Sequence, residues 1–201
     1  MSDKYDPVEH WNTREHPNTA ANPGIGQVEL DFFGPMLSGA SSLLELGPGV
    51  GRLFPLYKGV AKIATLDLST NYNDRARQAA DSAGISVDAN FIEGPLDKFP
   101  FADGAFEIGI ASHVLMHIPF ENIEHSMSEL ARCCKSVAVI TVLERQWPRK
   151  GTSFDPKWHC FAHDYEALCK DLGCDMSEKT MFRDEEKVSS FGFSFGRDLN
   201  S

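Results

Sequence analysis

The stretch LLELGPGVGR, residues 43–52, decides how this chain is read. Leu43, Leu44 and Leu46 surround the acid Glu45, and glycine then stands at positions 47, 49 and 51. Residues 42–46 (SLLEL) predict a short buried strand. It must end where the glycines begin, because a stretch with so few side chains has little to pack and much backbone freedom to lose. A loop this bare lets a ligand approach the main chain.

Working outward, strand and helix patterns alternate. A helix is predicted over 26–38, weakened by Pro35. Residues 51–57 start a second helix, with Pro55 inside it. Strands are predicted over 61–68, ending in Asp67 and Leu68, and over 86–93, 106–112 and 136–143. The intervening helices are 71–83, closed by Gly84, and 119–133; a last helix, 162–172, is stopped by Gly173. Alternation of this kind implies a mostly parallel sheet with helices on both faces. Near the end, Phe191, Phe193 and Phe195 recur with period two. Residues 176–183 and 188–196 therefore predict an antiparallel hairpin, since no crossover helix fits between them. The expected fold is α/β, a doubly wound Rossmann-like sheet of seven strands with a C-terminal antiparallel hairpin. Residues 1–201 read as one domain. Residues 1–41 form an arm and helix before the first strand, the arm (1–24) polar, proline-bearing and loosely structured.

Composition narrows the function. The chain of 201 residues carries a net charge of −10, which disfavours a phosphate backbone as partner; no nucleic acid is expected. No apolar run is long enough to span a membrane, and the first residues lack a signal-peptide pattern. The five cysteines form no regular framework, so a disulfide scaffold is not expected and a reducing, cytoplasmic setting is the simpler reading. A small molecule is the expected partner; the sequence leaves the oligomeric state open.

Three classes of ligand use a glycine loop after a strand: nicotinamide dinucleotides, nucleoside triphosphates and S-adenosylmethionine. Asp67, at the end of the second predicted strand, can accept both hydroxyl hydrogen bonds of a ribose. The dinucleotide pattern wants a small residue where Arg52 stands, and Pro48 removes an N–H from the loop. No Gly-Lys-Ser/Thr follows, which excludes a triphosphate loop. Glu45 suits a ligand bearing an ammonium group better than one bearing two phosphates.

Residues 43–52, the acid Asp67 and FPFADGAFEIGIASHVLMHI (99–118) resemble the class I S-adenosylmethionine-dependent methyltransferases of the small-molecule type. The resemblance is specific over 43–118 and topological to about residue 173. It implies S-adenosylmethionine as cofactor, S-adenosylhomocysteine as product, and a small-molecule methyl acceptor. By position, Gly47, Gly49 and Gly51 would approach the methionine moiety, Glu45 its amino group, Asp67 the ribose hydroxyls, and Leu68 the adenine. Ser112 and His113 would face the methyl group, and Trp11 and Arg14 of the arm would close on the methionine end. The family places an acid where Pro95 stands, so the adenine amino group is left to Asp97 or to the backbone of Leu96. That departure motivates an alternative, a non-catalytic or regulatory domain that keeps the fold. The resemblance also implies that the last two strands run against the others.

On the acceptor side, a hydroxyl or protonated amine needs a base, and histidine titrates near neutral pH. His113, at a strand end, is one candidate. The aromatic segment 147–165 supplies Trp158 and His159 as acceptor contacts, with His159 a second candidate base. His117 reads as a packing and capping residue before Ile118-Pro119, and His163-Asp164 as a helix start. No metal site is expected, either from His113 and His117 or from His159, Cys160, His163, Cys169 and Cys174, whose spacings fit no common zinc motif. Arg52 either pairs with an acid or extends outward.

Overall fold

A computed structural model of the chain describes residues 6–13, 27–85, 89–93, 98–142, 154–156, 159–183 and 186–194. Its main sheet has seven strands: β1 (Ser42–Leu46), β2 (Lys62–Asp67), β3 (Ala89–Glu93), β4 (Phe106–Ser112), β5 (Cys134–Val142), and a hairpin made by β8 (Asp175–Arg183) and β9 (Glu186–Ser194). A separate two-stranded ribbon, β6 (Phe154–Asp155) with β7 (Cys160–Phe161), was not expected. The strand order is β3-β2-β1-β4-β5-β9-β8, with the first five parallel. β9 pairs antiparallel with β5, and β8 antiparallel with β9. One strand of the hairpin, β9, therefore runs against the sheet, and β8 runs with it. This corrects the expectation that both would be reversed.

The helices are α1 (Pro7–Thr13), α2 (Gln27–Leu37), α3 (Thr70–Ala83), α4 (Phe120–Cys133) and α5 (Tyr165–Asp171). Local chemistry sets their ends. Ser69 caps α3, accepting from the Tyr72 N–H, and Gly84 closes it in the left-handed conformation. Asp164 caps α5, accepting from the Ala167 N–H at 3.1 Å. Two expectations are corrected. The helix foreseen over 51–57 is a single 3-10 turn, Phe54–Tyr57, because Gly51 lies at φ 75° and Pro55 brings no N–H. Part of the arm foreseen as loosely structured is helical: the Asp6 carboxylate accepts from the N–H groups of Val8 and Glu9, and Pro7 sits at the first helical position.

The sheet divides the core. Leu44, Leu46, Ala64 and Leu66 pack with Met127 and Leu130 of α4. Leu43, Ile63, Ile108 and Ile110 pack on the other face with Phe33 of α2, Tyr57, and Ala76 and Ala80 of α3. Glu45, Thr65, Asp67 and Ser112 share this second face by the alternation of their strands. The disulfide between Cys169 and Cys174 departs from the expected reduced set. The chain reverses after α5, where the Cys174 N–H reaches the Cys169 carbonyl, and this places the two cysteines together.

Candidate active site

Strand order reverses between β1 and β4, where an open α/β sheet presents its binding crevice. Leu46 is in register with Leu66 of β2 and Ala111 of β4, so the glycine loop, Asp67 and Ser112 emerge side by side. The three glycines differ in their reasons. All have positive φ. A side chain on Gly47 would collide with Val114, and one on Gly51 with Ala79 and Phe54. At Gly49 nothing lies within 4 Å of where a Cβ would be. Two glycines thus let the loop pack, and the middle one faces open space that a ligand can enter.

Around this opening stand buried polar groups with incomplete bonding. Glu45 is 2% exposed, and its Oε2 lacks a hydrogen-bond partner. Burial pushes its carboxyl up to about 8, against smaller lowering influences from Tyr57 and Arg52. Tyr57 faces Glu45, but its hydroxyl completes no well-formed hydrogen bond. Ser112 Oγ is likewise unpartnered, as are both side-chain polar atoms of the fully buried Asn73. Buried polar atoms are normally satisfied, so such a concentration calls for an explanation. Asp67 is 7% exposed and accepts from the Ser69 N–H at 2.9 Å. Burial raises its carboxyl to about 6, while the backbone groups of Ser69, Gly49 and Leu68 pull it down. An open glycine, a buried acid at the end of β2 and unpartnered acceptors are thus features of the strand ends at this switch point.

A second cluster lies across the mouth. The Trp11 carbonyl accepts from Ser69 Oγ at 3.2 Å, and its indole meets the rings of His117, at 4.8 Å between centroids, and Tyr72. His10 lies against His159, with ring centroids 4.1 Å apart. The His117 Nδ1 bonds the His159 carbonyl at 2.9 Å. His117 thus packs as expected, but its polar partner is this distant carbonyl. His163 is buried, with Nε2 3.1 Å from the Leu115 carbonyl, and burial lowers it to about 4.

His113 and His159 are, among the described residues, the two non-glycine residues at positive φ, 57° and 51°. Such backbone is sparsely populated for a side-chain-bearing residue and concentrates at functional positions. Leu68 packs half-buried against the core. Arg14, Leu96, Asp97 and Trp158 lie outside the described residues. Sequence reasoning missed His10, Tyr57, Asn73 and Glu29. Glu29, 1% exposed, pairs with Arg52 at 2.8 Å. Its signal was present: Glu29, Phe33 and Leu37 recur every four residues, which sets an acid on the apolar face of α2.

Comparison with known proteins agrees with this geometry. A family described as a methyltransferase domain matches residues 44–142, just under half of the chain. A probable methyltransferase, ltbC, of Aspergillus luteorubrus is 24% identical over 144 residues, 66% of this chain and 50% of that protein. A phosphatidylethanolamine N-methyltransferase of Cereibacter sphaeroides is 25% identical over 109 residues, 54% of this chain and 53% of its own length. The chain thus spans about half the length of these curated relatives. Magnesium protoporphyrin IX methyltransferase from Synechocystis, crystallised with S-adenosylmethionine, superposes with a TM-score of 0.71 at 16% identity, covering 96% of this chain and 99% of that one. Over residues 44–142 the chain is thus similar to methyltransferase domains, and its fold is the one that the Synechocystis enzyme uses to hold S-adenosylmethionine.

Proposed function

We propose that this protein binds S-adenosylmethionine at the glycine loop and methylates an oxygen or nitrogen atom of a small molecule. The observation that carries the reading is the set at the switch point: open Gly49, buried Asp67, and the unpartnered Glu45 Oε2 and Ser112 Oγ. Asp67 holds the ribose hydroxyls, Leu68 packs on the adenine, and the loop backbone at Gly47, Gly49 and Gly51 cradles the methionine end. Glu45 receives the ammonium group. Leu96 and Asp97 serve the adenine amino group, and Trp11 and Arg14 cover the methionine end.

When bound, the cofactor supplies a methyl group activated by a sulfonium. The protein's tasks are then to orient the acceptor and exclude water. The ring cluster of His10, Trp11, His117 and His159 forms a wall suited to excluding water. Ser112 and His113, at the end of β4, face the transfer. His113 or His159 takes the acceptor's proton, and Trp158 with His159 contacts the acceptor. His163 is unsuited to that task, being buried and bonded to the Leu115 carbonyl. The acidic chain favours small acceptors over nucleic acid.

Calorimetric titration with S-adenosylhomocysteine tests this reading. Binding in the micromolar range or tighter is expected. No binding would overturn it and favour the alternative, a non-catalytic domain that keeps the fold.

A further inference from the structure

Three carboxyl groups, Glu29, Glu45 and Asp67, lie buried on one face of the sheet. Among the described residues, the cation that acts on Glu45 is Arg52, which follows the glycine loop. Arg52 is committed elsewhere: its Nη1 lies 2.8 Å from Glu29 Oε1. α2 holds Glu29 there by packing Phe33 and Leu37, one and two turns on, into the core. Among the described residues, the groups that face Glu45 are the Tyr57 hydroxyl from the 3-10 turn, Arg52 from the loop and Asp67 from β2. From β1's neighbours, Thr65 and Ile110 stand beside it in register, and neither carries charge. Glu45 is thus a buried acid whose Oε2 has no partner, and the cation that acts on it, Arg52, is paired with another carboxylate.

We propose that Glu29 is a positioning residue: by holding the Arg52 guanidinium, it keeps Glu45 without a cation, so that the ligand's ammonium group becomes Glu45's counter-charge. This rests on the S-adenosylmethionine reading above. It has a consequence in protons. A buried acid with no counter-ion retains its proton, and burial pushes Glu45 in that direction. When the ammonium arrives, the Glu45 O–H bond breaks, the carboxylate stays to face the ammonium, and the proton passes to the buffer. Arg52 paired with Glu45 would ionise it beforehand and repel the ammonium. The site would then lose its preference for a ligand with an amino-acid end.

The test is calorimetry near neutral pH in phosphate and in Tris, whose different ionisation enthalpies reveal protons released on binding. The ligands are S-adenosylhomocysteine and methylthioadenosine, which lacks the ammonium group. Wild-type protein is expected to release close to one proton with the first ligand and none with the second. In E29Q, Arg52 turns to Glu45, proton release is lost, and S-adenosylhomocysteine binds about tenfold more weakly while methylthioadenosine is unaffected. E29Q/R52Q restores the release, and R52Q alone keeps it, which separates positioning from a general loss of structure. Wild-type binding without proton release overturns the inference and leaves the methyltransferase reading standing. So does an E29Q that weakens both ligands equally, or an R52Q that abolishes the release. Failure of wild-type protein to bind S-adenosylhomocysteine overturns the reading on which the inference rests.

Discussion

Two polar clusters in this molecule are built to opposite standards. At one edge, Arg132 of α4 reaches the Phe101 carbonyl at 2.6 Å, Asp103 at 2.9 Å, the Phe99 carbonyl at 3.2 Å, and Glu129 through two nitrogens. Glu129 also accepts from the Phe99 N–H, and the Gly104 N–H returns to the Arg132 carbonyl. Every group there has a partner. By contrast, the buried Glu45, Tyr57 and Asn73, and the Oγ of Ser112, leave polar atoms unpartnered. An unsatisfied buried polar group costs about 1–3 kcal/mol, so a fold would not gather several without use for them. The Arg132 cluster fastens loop 98–105 to α4; on the function proposed above, the Glu45 cluster is reserved for a ligand.

The comparison breaks if the Arg132 cluster also governs binding. R132A should destabilise the fold by about 3 kcal/mol, because it strips partners from two carbonyls and two carboxylates. In a chain of this size that lowers the melting temperature by roughly 5–10 °C. The S-adenosylhomocysteine dissociation constant should stay within about twofold, since none of these groups faces the glycine loop. A large loss of affinity at unchanged melting temperature would reverse the assignment. The same cluster predicts acid sensitivity. Hydrogen bonds from Arg132 hold Glu129 down at about 2, below its ordinary 4.5. Its stabilising contribution is complete above the ordinary value and is lost as pH falls through the lower one.

D67N sharpens the other side. The amide keeps an acceptor for the Ser69 N–H but can no longer accept from both ribose hydroxyls as a charged group. Affinity for S-adenosylhomocysteine should fall roughly 30-fold, about 2 kcal/mol, with the melting temperature of the ligand-free protein little changed. Unchanged affinity in calorimetry would remove Asp67 from the ribose.

What could be read in the sequence follows the same division. Glu45, the glycines and Asp67 were legible because strand, loop and acid are set by local order, and strand ends need only periodicity. The pairing of Glu29 with Arg52 was not legible, although the spacing of Glu29, Phe33 and Leu37 placed an acid among core residues. Which cation answers it depends on how α2 docks beside the loop, and no local pattern encodes that. His159 was singled out for its aromatic surroundings. Its contact with His10, and the bond from its carbonyl to His117, join three separate segments. The helix expected over 51–57 failed for a local reason: Pro55 and the left-handed Gly51 outweigh an apolar spacing that suits a helix.

The smallest expected effect is the most discriminating, because its sign depends on pH. Glu45 is held at about 8 in the folded protein against an ordinary value of 4.5, so the folded state keeps a proton that the unfolded chain gives up. Stability therefore falls as pH rises between those values, and Glu45 contributes that loss. E45Q cannot ionise. Its melting temperature should match wild type near the acid end of the window and exceed it increasingly as pH rises toward about 8. The same substitution removes the charge that meets the ligand's ammonium, so affinity for S-adenosylhomocysteine should drop while methylthioadenosine binds as before. A gain in stability coupled to a loss of binding is what a residue kept for function gives when replaced. R132A should show the reverse, a loss of stability with binding intact. If E45Q instead loses stability at every pH, Glu45 belongs with Arg132 as part of the framework, and the distinction between the two clusters fails.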